Sequence, residues 1–199
     1  VCAGTGGRMD FEIMRRALNL TRSDGDAFWD PLANQSRTHG YSLWAPITGL
    51  GAISPTRYDF RSGMGSHLSL AFDFYGSSDS TYASWTTHIN QCKVVRELYL
   101  GDYYPLTPAS TSAGRNLAMQ FNDPSDGSGV VLAFRREDAC KQTVTVRLNG
   151  LEDGAAYAVR DVDTGAEQVL SGALLAKKGL TVGIPEKPGA VIVRYSKVP

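Results

Sequence analysis

The chain has 199 residues, 42% of them aliphatic or aromatic, enough for one large core or two small ones. Twenty basic residues balance twenty acidic ones, so no basic excess favours a nucleic-acid partner or an anionic membrane surface, and a neutral ligand such as a sugar suits the charge. No apolar run reaches the roughly 18 residues that a spanning helix needs; Cys2, Cys92 and Cys140 are far apart and lack zinc-ligand spacing, and an odd count of three does not point to a disulfide framework.

The chain opens at Val1-Cys2-Ala3-Gly4, with neither an initiator Met nor a basic leader, and reads as though it begins within a fold. Asp10 is placed to cap a helix over Phe11 to Leu18, with Phe11, Met14 and Leu18 on one face. Leu18 to Arg22 is short and extended, and it ends in the polar cluster Ser23-Asp24-Gly25-Asp26. Tyr41 to Ile47 reads as a buried strand broken at Pro46, and Leu68 to Phe74 is a second apolar run. The clearest helix follows. Ser78-Asp79 caps it, Tyr82, Trp85, Ile89, Cys92, Val95 and Tyr99 form one apolar stripe at spacings of three and four, and Gly101 stops it. Pro105 to Arg115 is rich in Pro, Ser, Thr and Gly and is expected to be a linker.

From Leu117 onward the pattern changes to short strands and turns. Val130 to Phe134, Thr143 to Leu148, Ala156 to Val162, Leu180 to Ile184 and Ala190 to Tyr195 read as strands. Turn signals stand between them: Asn122-Asp123-Pro124, Asp126-Gly127, Asn149-Gly150, Asp153-Gly154, Asp163-Thr164-Gly165 and Pro188-Gly189. This spacing predicts a small antiparallel β-sandwich.

Two segments could carry chemistry. In Cys2-Ala3-Gly4-Thr5-Gly6-Gly7-Arg8-Met9-Asp10 the glycines let backbone N–H groups approach a ligand, and the helix that follows could face a bound polar group. The local pattern alone favours a structural turn, and it lacks the Lys-Ser/Thr of a P-loop. In Thr21-Arg22-Ser23-Asp24-Gly25-Asp26, Asp24 stands past a short strand, where barrel enzymes place catalytic carboxylates. Local pattern alone favours a polar turn for Asp24, as for Asp26 and Asp30. His39, His67 and His88 are scattered, with His88 expected off the apolar face of its helix, and no role is assigned to them.

Together these segments resemble the melibiase-type α-galactosidases of glycoside hydrolase family 36 over nearly the whole chain. The family carries a Cys-Ser-Gly-Gly-Gly-Gly-Arg-Phe-Asp-like segment, matched by Cys2 to Asp10, then a helix and a strand ending in Ser-Asp, matched at the right interval by Ser23-Asp24. A Tyr-Gly-x-Ser-like barrel strand corresponds to His39-Gly40-Tyr41-Ser42-Leu43-Trp44, and a Gly-Asp-Tyr-Tyr-like turn to Gly101-Asp102-Tyr103-Tyr104. The Asp-x-Asp-Thr-Gly turn and last apolar strand of the family's sandwich correspond to Asp161 to Gly165 and Ala190 to Val193. Ala3, Thr5 and Met9 depart from the family's Ser, Gly and Phe.

The resemblance implies an α/β plus all-β fold: residues 1–106 as the C-terminal part of a (β/α)8 catalytic barrel and residues 107–199 as a C-terminal antiparallel β-sandwich. It implies a retaining glycosidase acting on terminal α-linked galactose, in which two carboxyl groups about 5–5.5 Å apart share the work. Asp24 is the implied acid/base, needing a raised pKa to act as an acid. Cys2, Gly4 and Thr5 would sit beside the sugar hydroxyls, and no metal or organic cofactor is implied. The family's nucleophile, an Asp in a Lys-x-Asp segment, is expected to precede Val1, so the partners implied are a galactoside substrate and the missing N-terminal part of the same enzyme. Uncovered barrel strands would favour a homo-oligomer. The competing reading is a non-catalytic carbohydrate-binding or accessory sandwich, which needs solvent-facing aromatics among Phe121, Phe134, Tyr157 and Tyr195.

Overall fold

Two hydrophobic patterns produce two kinds of packing in this chain, which divides between Arg96 and Glu97 into two units. The computed structural model describes residues 11–17, 19–22, 29–45, 47–71 and 75–199, with the backbone alone for Ile13 and Met14.

In the first unit, helix α1 (Phe11–Arg16) leads into strand β1 (Leu20–Thr21), and helix α2 (Pro31–Tyr41) connects β1 to β2 (Thr48–Ala52). Helix α3 (Arg57–Ser62) connects β2 to β3 (His67–Leu70), and the long helix α4 (Asp79–Val95) follows. The strands pair in parallel in the order β1-β2-β3. Parallel neighbours need a crossover between them, which is why helices alternate with strands here. The central strand β2 is buried along its whole length. Gly49 lets it lie close to β3, because a Cβ at that position would collide with the His67 carbonyl.

Local chemistry sets the helix starts. The Asp30 side chain accepts hydrogen bonds from the Leu32 and Ala33 amides at 2.9 and 3.1 Å, with Pro31 in the first turn. Asp30, for which the local pattern favours a polar turn, is therefore the cap of α2. Thr56 and Ser78 cap α3 and α4 in the same way. The expected strand over Tyr41 to Ile47, and the barrel strand matched to His39 to Trp44, are corrected by this helix. His39, Gly40 and Tyr41 are its last residues and Ser42 to Trp44 are a turn, while the strand begins at Thr48.

Phe11 is 91% exposed, so it does not contribute to a buried face of α1; Met14 and Leu18 lie outside the described side chains. The α4 stripe is buried at Trp85 and Val95 and partly buried at Tyr82, Ile89 and Cys92. His88, expected off this face, is buried too. It lies 5.3 Å from the Phe60 ring by centroids, with Trp85 at 5.7 Å on the same ring. A 3-10 turn over Arg96–Leu100 then ends at Gly101.

The second unit holds strands β4 (Asp102–Pro105), β5 (Leu117–Asp123), β6 (Ser128–Arg135), β7 (Thr143–Val146), β8 (Ala156–Asp161) and β9 (Glu167–Ser171), then helix α5 (Gly172–Lys177), β10 (Leu180–Gly183) and β11 (Gly189–Lys197). They form a six-stranded antiparallel sheet, β4-β5-β6-β11-β8-β9, and a two-stranded sheet, β10-β7. Val131, Ala133 and Val193 of the large sheet share one core with Val146, Leu180 and Val182 of the small one and with Leu175 of α5. The result is sandwich-like, and the five strands expected after residue 115 are present within two residues at either end. Strands β4, β5 and β9 and helix α5 add to them.

Gly101-Asp102-Tyr103-Tyr104, matched to a turn, instead leads into strand β4, because Asp102 to Pro105 pair with Asn122 to Met119. The expected linker is also tied to this unit. The Leu106 amide donates to the Ala118 carbonyl, and the fully buried Arg136 guanidinium donates to the Ser110 and Ser112 carbonyls at 2.7 and 3.0 Å. The compact units therefore part ahead of the Pro/Ser/Thr-rich stretch.

One buried polar cluster ties the large sheet together. Gln120 Nε2 donates to the Tyr195 hydroxyl at 2.7 Å, and that hydroxyl donates to Asn122 Oδ1 at 2.8 Å. Gln120 also exchanges two hydrogen bonds with the Asn149 backbone. Replacing Tyr195 with Phe leaves two buried polar groups short of a partner and is expected to cost about 1–3 kcal/mol, measured by urea unfolding; an unchanged midpoint would show that the cluster contributes nothing to stability.

Candidate active site

Open parallel sheets and barrels present ligand-binding residues past the carboxyl ends of their strands. In the first unit that edge is formed by Arg22 after β1, by Ile53 and Ser54 after β2, and by Trp29 and Asp30 at the start of α2.

Arg22 organises the edge. Its backbone amide donates to the Gly49 carbonyl at 3.0 Å, continuing the β1–β2 pairing. Its side chain turns into the helix layer, where Nη1 donates to Thr38 Oγ1 at 2.7 Å and Nη2 to Asn34 Oδ1 at 2.9 Å. Asn34 Nδ2 in turn donates to the Gly51 carbonyl at 3.0 Å. The guanidinium is 2% exposed, and its Nε has no partner among the described residues. Burial, and then the like charge of Arg37, lower its pKa to about 10, so it remains a cation at neutral pH. A buried cation held by neutral acceptors is costly, and each of those bonds is of the stronger, charge-assisted kind. The polar layer continues through Gln35, which donates to Ser62 Oγ at 2.8 Å, and Arg61, which donates to Gln91 Oε1 at 2.9 Å.

The other face of the strands carries a second group. Thr21, Gly49 and His67 share one row of the register. His67 Nδ1 lies 3.0 Å from Asn19 Nδ2, and Nε2 lies 3.0 Å from Ser69 Oγ. Burial and the nearby Arg22 charge lower the His67 pKa; burial also lowers that of His88, against a smaller raising effect of its hydrogen bond to Gln91.

A small depression of about 80 Å³ lies at this edge, lined by Trp29, Asn34, Gly51, Ile53, Ser54 and Asp59. Sequence reasoning missed Arg22, Trp29 and Asp59 as site residues. The Asp30-Pro31 pair, a cap followed by a first-turn proline, was the one signal that marked where this edge turns into a helix.

Of the residues expected in the site, Cys2, Gly4, Thr5 and Asp24 lie outside the described residues, as does Asp26. His39 is buried within α2. Cys92 and Cys140 are free thiols, and burial raises the pKa of Cys92. Among the described residues no group of three His, Cys, Asp or Glu side chains could hold a metal ion, and no helix is long and apolar enough to cross a membrane. In the second unit Phe121, Phe134, Tyr157 and Tyr195 are all at most 2% exposed, so the late strands offer no aromatic platform. Two grooves of about 340 and 660 Å³ there have no aromatic residue in their walls.

With this geometry the chain was compared with known proteins. No family model matches the sequence, and no curated protein does. Solved structures do match. AgaB, a GH36 α-galactosidase from Geobacillus stearothermophilus, superposes on 99% of the chain with a TM-score of 0.76 at 22% identity. The galactosidase domain of the α-galactosidase–sucrose kinase AgaSK superposes on 97% with a TM-score of 0.76 at 20% identity. The α-galactosidase from Lactobacillus brevis superposes on 98% with the same score at 16% identity. The fold is that of part of a GH36 α-galactosidase. The chain spans 28% of each of these structures, and at 16–22% identity the likeness is one of fold.

Two outcomes test the electrostatics of this edge. Asn34→Ala removes an acceptor from a buried cation and a donor from a buried carbonyl, with an expected loss of about 2–3 kcal/mol. Arg22→Met, which also removes the desolvated charge, is expected to cost less; the reverse order in chemical denaturation would refute a desolvation-limited Arg22. His67 and His88 have folded pKa values below the ordinary histidine value, so the unfolded chain binds protons first as pH falls. Their neutral forms contribute stability above about pH 6.5 that is lost progressively below it. The melting temperature is expected to fall between pH 7.5 and 5, and His67→Asn with His88→Gln should flatten that dependence.

Proposed function

We propose that this chain is the C-terminal portion of a retaining α-galactosidase that acts on terminal α-linked galactose of oligosaccharides or glycosides. In this reading the first unit is the end of a (β/α)8 catalytic barrel, and the second unit, from Glu97 onward, is the sandwich that follows it. The observation that carries the reading is the superposition of 97–99% of the chain on GH36 α-galactosidases at a TM-score near 0.76. Three sequential parallel strands with intervening helices are what the end of such a barrel requires. Variants of the G. stearothermophilus enzyme AgaA are known in complex with raffinose, stachyose and 1-deoxygalactonojirimycin, and galactosides of the type of the first two are the substrates proposed here.

Asp24, two residues past the anchored Arg22, is the proposed acid/base. Its carboxyl would protonate the leaving glycosidic oxygen and then, as carboxylate, take a proton from the water that releases the sugar. To act as an acid, Asp24 needs a raised pKa, from burial or from the negative charge of the nucleophile. Cys2, Gly4 and Thr5 are proposed to line the galactose. The nucleophile is assigned to a preceding barrel segment, so the 199-residue chain by itself is expected to be inactive.

The test is hydrolysis of an aryl α-galactoside and of raffinose by this chain, by the chain joined behind the N-terminal part of a GH36 α-galactosidase, and by the joined protein with Asp24→Asn. Activity is expected only in the joined protein, with Asp24→Asn lowering kcat on raffinose by about 10²–10⁴-fold and less on an aryl substrate with an easy leaving group. An active joined protein indifferent to Asp24→Asn on both substrates would overturn the acid/base assignment.

A further inference from the structure

Strand β9 is an end strand of the large sheet and pairs only with β8. At the two ends of that pairing the Asp161 amide donates to the Ala166 carbonyl at 2.9 Å and the Gly172 amide to the Ala155 carbonyl at 2.8 Å. Bonded and non-bonded pairs alternate along an antiparallel ladder, so Tyr157–Leu170 and Val159–Gln168 are the bonded pairs between them. Glu167 and Val169 therefore turn their N–H and C=O groups away from β8, and among the described residues no other partner meets those groups. Val169, midway along the strand, is 61% exposed. Sheet edges are ordinarily blocked by proline, lysine or a bulge. The opposite end strand β4 closes on Pro105, whereas Glu167–Ser171 has no proline, no lysine and an unbroken register with β8.

We propose that this edge is a homodimer interface, in which β9 of one copy pairs antiparallel with β9 of a second copy about a two-fold axis at Val169. The occupant follows from the strand's own register. A two-fold sets each residue against the one equally far on the other side of the centre. Val169 then meets Val169, Gln168 meets Leu170 and Glu167 meets Ser171. No charge faces a like charge, an opposition that destabilises a strand pair. The free backbone groups fit the same centre: Val169 and its copy exchange both N–H···O bonds, and Glu167 with Ser171 flanks them on either side. A centre at Gln168 loses one of these bonded pairs and sets a Glu167 carboxylate against each valine. In the Val169 register the two valine side chains lie side by side, their Cα atoms about 5.5 Å apart, and each covers apolar surface of the other. Five residues a side bury far less than the roughly 1,200 Å² of a stable interface, so the dimer is weak and concentration-dependent. The inference rests on the sheet edge alone and is independent of the glycosidase reading.

Analytical ultracentrifugation of the intact chain, from about 10 µM to about 1 mM, tests this. The average mass is expected to rise with concentration from 21.5 kDa towards twice that value. Val169→Lys and Val169→Glu, each alone, set two like charges against one another and are expected to weaken association about tenfold. An equimolar mixture of the two variants is expected to restore it, because the two-fold sets residue 169 against itself and the charges are now opposite. Such restoration also shows that both variants are folded. A parent chain that stays at the monomer mass overturns the interface. So does a Val169→Lys chain that associates as the parent does, which places the contact elsewhere on the molecule, and so does a mixture that associates no better than either variant alone.

Discussion

The first unit depends on one buried cation. Arg22 ends the β1 pairing with its amide and reaches into the helix layer with its side chain, and Asn34 passes that contact on to the carbonyl of Gly51. Two strand ends and one helix are thereby held at distances that no apolar contact would specify, because charge-assisted hydrogen bonds are short and directional. Desolvation makes the arrangement expensive, and the cost leaves little tolerance for a displaced acceptor. The edge carrying Trp29, Ser54 and Asp59 follows from that fixed frame, since α2 is capped by Asp30 and β2 ends at Ala52.

The second unit is held differently. Its core is aliphatic, with valine and leucine from both sheets and α5 meeting around Val131, Val182 and Leu175. The polar exception, Gln120 with Asn122 and Tyr195, crosses the large sheet and also reaches the Asn149 turn. Tyr99, Phe121, Phe134, Tyr157 and Tyr195 are used inward. Tyr99 packs edge-on against Phe121 at 4.9 Å and Tyr157 against Tyr195 at 6.2 Å. Aromatic residues spent on the core are not available to hold a saccharide.

Some of this was legible in the residues themselves. Alternating apolar positions with Asp-Gly and Asn-Gly punctuation marked the strands of the sandwich, because turn glycines report backbone angles directly: Gly127, Gly150 and Gly165 all have φ near +70°. The Asp161 turn behaves likewise, its carboxylate accepting from the Asp163 and Thr164 amides. The α4 stripe was legible for the same reason, a period set by local geometry. His88 escaped the pattern because a histidine counts as polar in sequence but can pack a ring against Phe60. The apolar run Tyr41 to Ile47 reads as a strand, and the resemblance matches His39 to Trp44 to one, whereas the helix that starts at the Asp30 cap runs through Tyr41.

By itself the sequence determined a two-part chain with a late antiparallel sheet, the long helix and its cap, and the segments that resemble family 36, because each depends on neighbours a few residues apart. Only the tertiary structure decided that Pro105 to Arg115 belongs with the sheet, that Asp102 to Pro105 is a strand and that Arg22 is buried against Asn34. It also decided that Trp29 shares a depression with Asp59. Those facts join residues from about twelve to thirty positions apart through hydrogen bonds and enclosed space, and long-range pairing of that kind leaves no periodicity in a chain to be read.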